Sequence, residues 1–135
     1  FLYDGGAISW SSKKQPIIAL SSTEAEYVAA THAAKEAIWL QSFLCDIFDI
    51  SKSKALPVTL HCDNQSAIAL ARDNAFHVRT KHIDIHFHFI REAVENEKIA
   101  IFYCPTEDMA ADLFTKALPR PKVEKFVELI GLQAI

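Results

Sequence analysis

The stretch "VTLHCDNQSAIALAR", residues 58–72, decides the fold. In its first half Val58, Leu60 and Cys62 share one face and Thr59, His61 and Asp63 the other, the two-residue period of a half-buried β-strand. From Asn64 onward, "NQSAIALAR" has the spacing of a short helix. Asp63 therefore stands where a strand's carboxyl end turns into a helix. That junction predicts an α/β domain, and in such sheets it is the edge where ligands bind.

Upstream lie a polar connector, Ser51-Lys52-Ser53-Lys54, and Pro57. Before them "SSTEAEYVAATHAAKEAIWL", residues 21–40, opens a helix expected over 21–48. Glu24 and Glu26 near its start each follow a Ser or Thr by three residues, as in a capping box. Residues two apart on a helix point nearly opposite ways. Glu24 leads a polar row of Thr31, Lys35, Ser42 and Asp46; Glu26 leads Ala30, Ala33, Ala37, Leu40 and Leu44, a row expected to pack against a sheet or helix. A carboxylate heading a buried face is costly unless something cationic meets it. Glu24 thus reads as a solvated cap and Glu26 as the residue that needs a partner.

The remaining elements follow from similar signals. Residues 1–3 form a strand end, Asp4-Gly5-Gly6 a hairpin turn, and 7–10 and 16–20 extended segments. Asp4 reads as ordinary turn chemistry. A helix is expected over 81–96, a strand over 99–103, a helix containing Asp112 opening at Pro105-Thr106, and an amphipathic helix in "PKVEKFVELIGL", residues 121–132, ended by Gly131. Trp10, Trp39, Phe43 and Phe48 are expected in the core.

The 135 residues suit a single domain, 1–135, with a real core. Half the residues are apolar, yet no stretch approaches a membrane span. A formal charge of −3 excludes a globally basic nucleic-acid binder, so contact with a polyanion needs a local basic patch or bridging metal ions. Cys45, Cys62 and Cys104 are odd in number and set among apolar residues, which suits reduced packing cysteines in a reducing compartment. Neither a signal peptide nor a targeting segment is visible, and the chain opens on Phe1, as expected of an excerpt from something longer.

Three acids occupy comparable places: Glu26 on a first helix, Asp63 at a strand's end, and Asp112 in a helix after the last strand. Carboxylates meeting at one sheet edge suit Mg²⁺ or Mn²⁺, which take oxygen ligands. An Asp at a strand end can equally be an N-cap, and Asp112 a surface acid. His82 and His86, four apart, suggest a zinc site, but no glutamate stands between them as in a metalloprotease, and Cys62 or Cys104 would have to arrive as further ligands. Structural or nucleic-acid-contacting histidines are favoured. His77, Arg79, Lys81 and His82 form the most basic local cluster and, with Lys13 and Lys14, are candidates to meet a nucleic-acid backbone. Ser21 and Ser22 belong to a helix cap rather than a Ser-His-Asp arrangement, and three glycines in these positions make no phosphate loop.

The blocks "AISWSSKKQPIIALSSTEAEYVAA", "HCDNQSAIALARD", "FHVRTKHIDIHFHFIRE" and "YCPTEDMAADLFTKALP" resemble, in the same order and over nearly the whole chain, the RNase H domain of copia-type LTR retrotransposon polyproteins. The resemblance implies an RNase H-like mixed sheet flanked by helices. It also implies endonucleolytic cutting of RNA in RNA–DNA hybrids by an Asp, Glu, Asp, Asp quartet holding two ions, Mg²⁺ or Mn²⁺. Glu26 of "STEAEY", Asp63 of "CDNQS" and Asp112 of "MAADLFTK" match three of the four; Asn64 and Gln65 join the candidates for nucleic-acid contact. The family's first aspartate lies on a first, central strand upstream of the hairpin, and this chain carries no counterpart. The sheet is then expected to be completed by an upstream segment, a partner chain or swapped dimer, or to be rearranged. The implied setting is intracellular, in a cytoplasmic virus-like particle or the nucleus, beside the reverse transcriptase of the same polyprotein and away from membranes. The alternative is a non-catalytic remnant or co-opted module of the same architecture that binds nucleic acid or a protein.

Overall fold

The computed structural model describes residues 1–16, 18–72 and 81–132, with the side chains of 81–87 left aside. The elements run in the order β1 (Leu2–Tyr3), β2 (Gly6–Ala7), α1 (Ser22–Ile47), β3 (Val58–Cys62), α2 (Gln65–Arg72), α3 (Lys81–Glu95), β4 (Ile99–Tyr103) and α4 (Arg120–Leu129). The architecture is mixed α/β. Among the described residues the strands form two separate two-stranded sheets, β1 with β2 and β3 with β4. The chain divides into two compact units, one of Phe1–Pro16 with Pro105–Ile135 and one of Ile17–Cys104.

In the larger unit, β3 and β4 run parallel in the register Val58↔Ile99 through Cys62↔Tyr103. A parallel pair needs a crossover, and α2 and α3 supply it. The alternation expected for β3 holds: Leu60 and Cys62 are buried, Thr59 and His61 exposed. Asn64 caps α2 by accepting the Ala67 N–H at its Oδ1, 3.0 Å away. Helix α1 packs against β3, α2 and α3. The core gathers Tyr27, Val28, Ala34 and Ala37 of α1, Leu60 of β3, Ile68 of α2, Ile90 of α3, and Ile99 and Ile101 of β4.

The buried stripe of α1 differs from the expected one. It is led by Tyr27, not Glu26, and passes through Thr31, Ala34 and Cys45; of the expected row Ala37 is buried, while Glu26 is exposed and Ala30, Ala33, Leu40 and Leu44 are half-buried. Thr31, expected in a solvated polar row, is fully buried because its hydroxyl donates to the Tyr27 carbonyl at 3.0 Å and so needs no water. Trp39, Phe43 and Phe48 are 58%, 47% and 52% exposed rather than core. Trp39 and Phe43, one helical turn apart, cover part of each other's apolar surface by stacking at 5.3 Å.

In the smaller unit, Asp4 and Gly5 both take positive φ, 49° and 78°, as a two-residue hairpin turn requires. β2 ends at Ala7, and residues 8–16 carry no further strand, so the expected extended run 7–10 is mostly irregular and Trp10 is 65% exposed, stacked on Phe114 at 6.4 Å. α4 ends as the sequence predicts. Gly131 has φ 76°, its N–H meets the Glu128 carbonyl at 3.0 Å, and the Leu132 N–H meets Val127 at 3.1 Å, the paired bonds of a Schellman motif. The hairpin docks on this helix end through Ala7 N–H to the Ile130 carbonyl, 3.0 Å. The helix expected from Pro105 is instead a turn followed by a 3₁₀ segment, Ala110–Phe114, because the polar run 105–109 offers no apolar row to bury.

Candidate functional site

Glu24 and Glu26 part company at the start of α1. Ser21 is the N-cap, its hydroxyl accepting the Glu24 N–H at 3.1 Å, and the Glu24 carboxylate accepts the Leu20 N–H at 2.7 Å. Glu24 is thus occupied in closing the helix start, as expected. Glu26, in the same first turns, points instead toward the carboxyl end of β3.

There its carboxylate meets Asp63 and the thiol of Cys62, with one donor atom from each of the three lying within 4.8 Å of the others. Glu26 is exposed, Asp63 half-buried and Cys62 buried. The chain leaves β3 at Cys62 and bends at Asp63 before α2 begins at Gln65. Strand alternation, which sends neighbours to opposite faces, ends at that bend, so Cys62 and Asp63 can serve one site. The Cys62 thiol also contacts the Asn64 carbonyl at 3.7 Å. Burial pushes its pKa up, and the Glu26 and Asp63 charges add to the rise against the opposing effect of the Asn64 contact.

Two carboxylates meeting from a helix start and a strand end offer the oxygen donors that hard divalent cations take. Cys62 was not among the sequence candidates for this site. Its adjacency to Asp63 was the available signal, masked by the alternation of β3.

Asp112 belongs to the smaller unit. It is buried, lies within the 3₁₀ segment, and pairs with Lys116 at 2.9 Å, one turn on. Lys13 and Lys14 are exposed in the irregular stretch after the hairpin, and Gln65 is exposed at the start of α2. Asn64 is engaged as a helix cap. His77 and Arg79 lie outside the described residues; Lys81 and His82 begin α3, with side chains outside the description. Asp4 is the turn residue expected, and no helix of the described residues is long and apolar enough to cross a membrane.

Comparison with known proteins gives the chain its context. No protein-family model matches it, and no solved structure does. Among curated proteins it is 46% identical, over 99% of its length, to the retrovirus-related Pol polyprotein from transposon TNT 1-94 of Nicotiana tabacum. It is 38% and 39% identical, over 95% and 93% of its length, to the corresponding polyproteins from transposons RE1 and RE2 of Arabidopsis thaliana. The chain spans 10% of the first relative's length and 8% of each of the others. It is thus homologous, over nearly its whole length, to a short segment of retrovirus-related Pol polyproteins of transposons.

Proposed function

We propose that this chain is an RNase H-type segment of a copia-type retrotransposon Pol polyprotein that hydrolyses the RNA of RNA–DNA hybrids endonucleolytically. The observation that carries the reading is the meeting of Glu26 and Asp63, remote in sequence, at the carboxyl end of β3. The homology to Pol polyproteins supports it. Glu26, Asp63 and Asp112 are assigned to Mg²⁺ or Mn²⁺. Bound there, two such ions supply activation of a water and stabilisation of the departing 3′ oxygen. The chain's own contribution is to present Glu26 from the capped start of α1 and Asp63 from the Asn64-capped junction of β3 and α2, so the donors are held on rigid elements. Lys13, Lys14, Asn64, Gln65, His77, Arg79, Lys81 and His82 are assigned to the hybrid, with RNA told from DNA through its 2′-hydroxyls. The reverse transcriptase of the same polyprotein, and a partner chain or swapped copy completing the sheet, are the proposed neighbours.

The test is cleavage of a labelled RNA–DNA hybrid by the 135-residue chain in Mg²⁺ and in Mn²⁺, with Asp63→Asn as the blank. Cutting that vanishes in the blank is expected. The two-stranded sheets favour a second reading, because among the described residues neither pair is extended by a further strand, and such edges can pair with another chain. This is a non-catalytic module that binds nucleic acid or a protein. Hybrid binding without cleavage, equal in the chain and the blank, would select it and overturn the first.

A further inference from the structure

We propose that the outward face of the last turns of α1 is a self-association surface, and that its occupant is a second copy of this chain packed antiparallel across a two-fold axis at Phe43. From Ala37 to Ile47 only Gln41, Ser42 and Asp46 are polar, so apolar side chains stand nearly all round the helix. One side, with Ala37 and Cys45, is buried in the core. The other carries Trp39, Phe43 and Ile47 in a row, one turn apart, each exposed for roughly half its surface, with half-buried Leu40 and Leu44 beside them. A helix apolar on every side belongs inside a larger packed assembly. Upstream the same outward side is polar and exposed at His32 and Lys35, so the apolar row begins sharply at Trp39. It uses neither the strand edges nor Glu26 and Asp63, and it stands whether or not the chain cuts hybrids.

The chemistry of this face selects a protein. From Glu36 to Ser51 there is no Lys or Arg, while Glu36, Asp46 and Asp49 are acidic, so the row itself offers no cation to nucleic acid or to an anionic membrane. Its layout selects a copy of itself. Trp39 and Ile47 lie four residues to either side of Phe43, so an antiparallel copy sets Trp39 on Ile47 twice and Phe43 on Phe43, the self-complementary pattern of a two-fold contact. Trp39 and Phe43 are already stacked at 5.3 Å, 7° from parallel, and meet the copy as one preassembled plate. A parallel pair would set Lys35 on Lys35 and Asp49 on Asp49; reversal turns Lys35 toward the end that carries Asp49. The area is sufficient. Half-exposed aromatics leave about 100 Å² each in water, so the row, its flanking leucines, and Phe48 and Ile50 at the helix end offer roughly 500 Å² per chain. Two copies then bury about 1,000 Å², where specific interfaces begin and where association is weak and reversible.

The experiment is sedimentation velocity on the full chain over roughly 2–200 µM, the range suited to an interface of this size. The expected result is a reversible equilibrium between one copy and two that grows no further. Phe43→Glu and Ile47→Glu, both exposed in the single chain and so tolerated by its fold, should each weaken association at least about tenfold, whereas Ile18→Glu, 92% exposed and outside α1, should leave it within about twofold. Far-ultraviolet circular dichroism checks the fold of each. Oxidation with diamide locates the crossing. Phe43→Cys chains should form disulfide-linked pairs beyond the yield of the unaltered chain, because the axis brings the two sulfurs together, and Ala29→Cys chains, on the same side of α1 but four turns earlier, should not. A dimer indifferent to both glutamates, growth beyond two copies, or linkage through Ala29→Cys rather than Phe43→Cys would overturn the proposal. So would a chain monomeric throughout, which would leave this face to a different protein or to another segment of its own polypeptide. The readout is association, so its failure and that of the nuclease reading are separate results.

Discussion

Replacing Gly131 by alanine tests how the smaller unit is held together. Gly131 has φ 76°, and a Cβ built there would lie 2.0 Å from the Gly5 carbonyl oxygen and 2.9 Å from Gly6 Cα, all backbone. Left-handed backbone costs a non-glycine residue about 1–2 kcal/mol. Forcing the hairpin turn away adds the overpacking cost of about 1–3 kcal/mol. The Ala7–Ile130 hydrogen bond, 3.0 Å, stands to be lost with it. Gly5→Ala is the matched control: its φ is 78°, but nothing lies within 4 Å of the added carbon, so only the backbone cost applies. The difference between the two substitutions is therefore about 1–3 kcal/mol. Each compact unit holds one tryptophan, Trp10 in the smaller and Trp39 in the larger, so a Trp39→Phe background lets fluorescence follow the smaller unit during urea unfolding. With a slope of about 1–3 kcal/mol per molar urea, Gly131→Ala should unfold at a midpoint roughly 1 M below Gly5→Ala. Coincident midpoints would refute the close approach of helix end and hairpin as the constraint.

Two further outcomes are expected. In the hybrid-cleavage assay Glu26→Gln should lose at least about 100-fold activity if Glu26 is the metal ligand proposed, a direct ligand mattering no less than an outer-shell one, whereas Glu24→Gln should stay within a few-fold, since Glu24 closes the helix start. Equal losses would remove the distinction between them. Tyr27 is 1% exposed, and burial raises its phenol pKa far above the ordinary value near 10, with the Arg91 charge pulling partly back. The folded state thus keeps the proton that the unfolded chain gives up. Stability is intact below about pH 10 and falls above it by about 1.4 kcal/mol per pH unit for this single group. Tyr27→Phe should flatten that alkaline slope in urea unfolding; parallel slopes would show that Tyr27 is not its source.

Where local chemistry alone decides, the sequence was legible. Ser21 with Glu24 set the start of α1, Asn64 the start of α2, and Gly131 the end of α4, each through bonds to neighbours a few residues away. β3 declared itself by alternation, whereas the expectation that Glu26 and Asp63 share a site rested on the resemblance, since Glu26 is exposed and does not head a buried face. What failed depended on tertiary packing. The buried stripe of α1 keeps Ala37 of the expected row but is otherwise led by Tyr27, Thr31 and Ala34, because Tyr27 fills more of the core than an alanine row could, and Thr31 can hide its hydroxyl on its own helix. Trp39, Phe43 and Phe48 were expected inside, but apolar character permits burial without compelling it. Cys62 joined the site because the strand ends beneath it, which a period of two cannot foresee.

The smaller unit is built from two segments, Phe1–Pro16 and Pro105–Ile135, whose covalent connection runs through the residues between. Its strands are two residues long, too short to persist without the C-terminal helix beneath them. In the unfolded chain, bringing those ends together across the 88 residues between them costs about 4 kcal/mol of closure entropy at 25 °C. The covalent path through residues 17–104 therefore sets the effective concentration at which hairpin and helix find each other. A single proteolytic nick along that path makes their association bimolecular once the larger unit unfolds, so the hairpin's survival then depends on peptide bonds it does not contain.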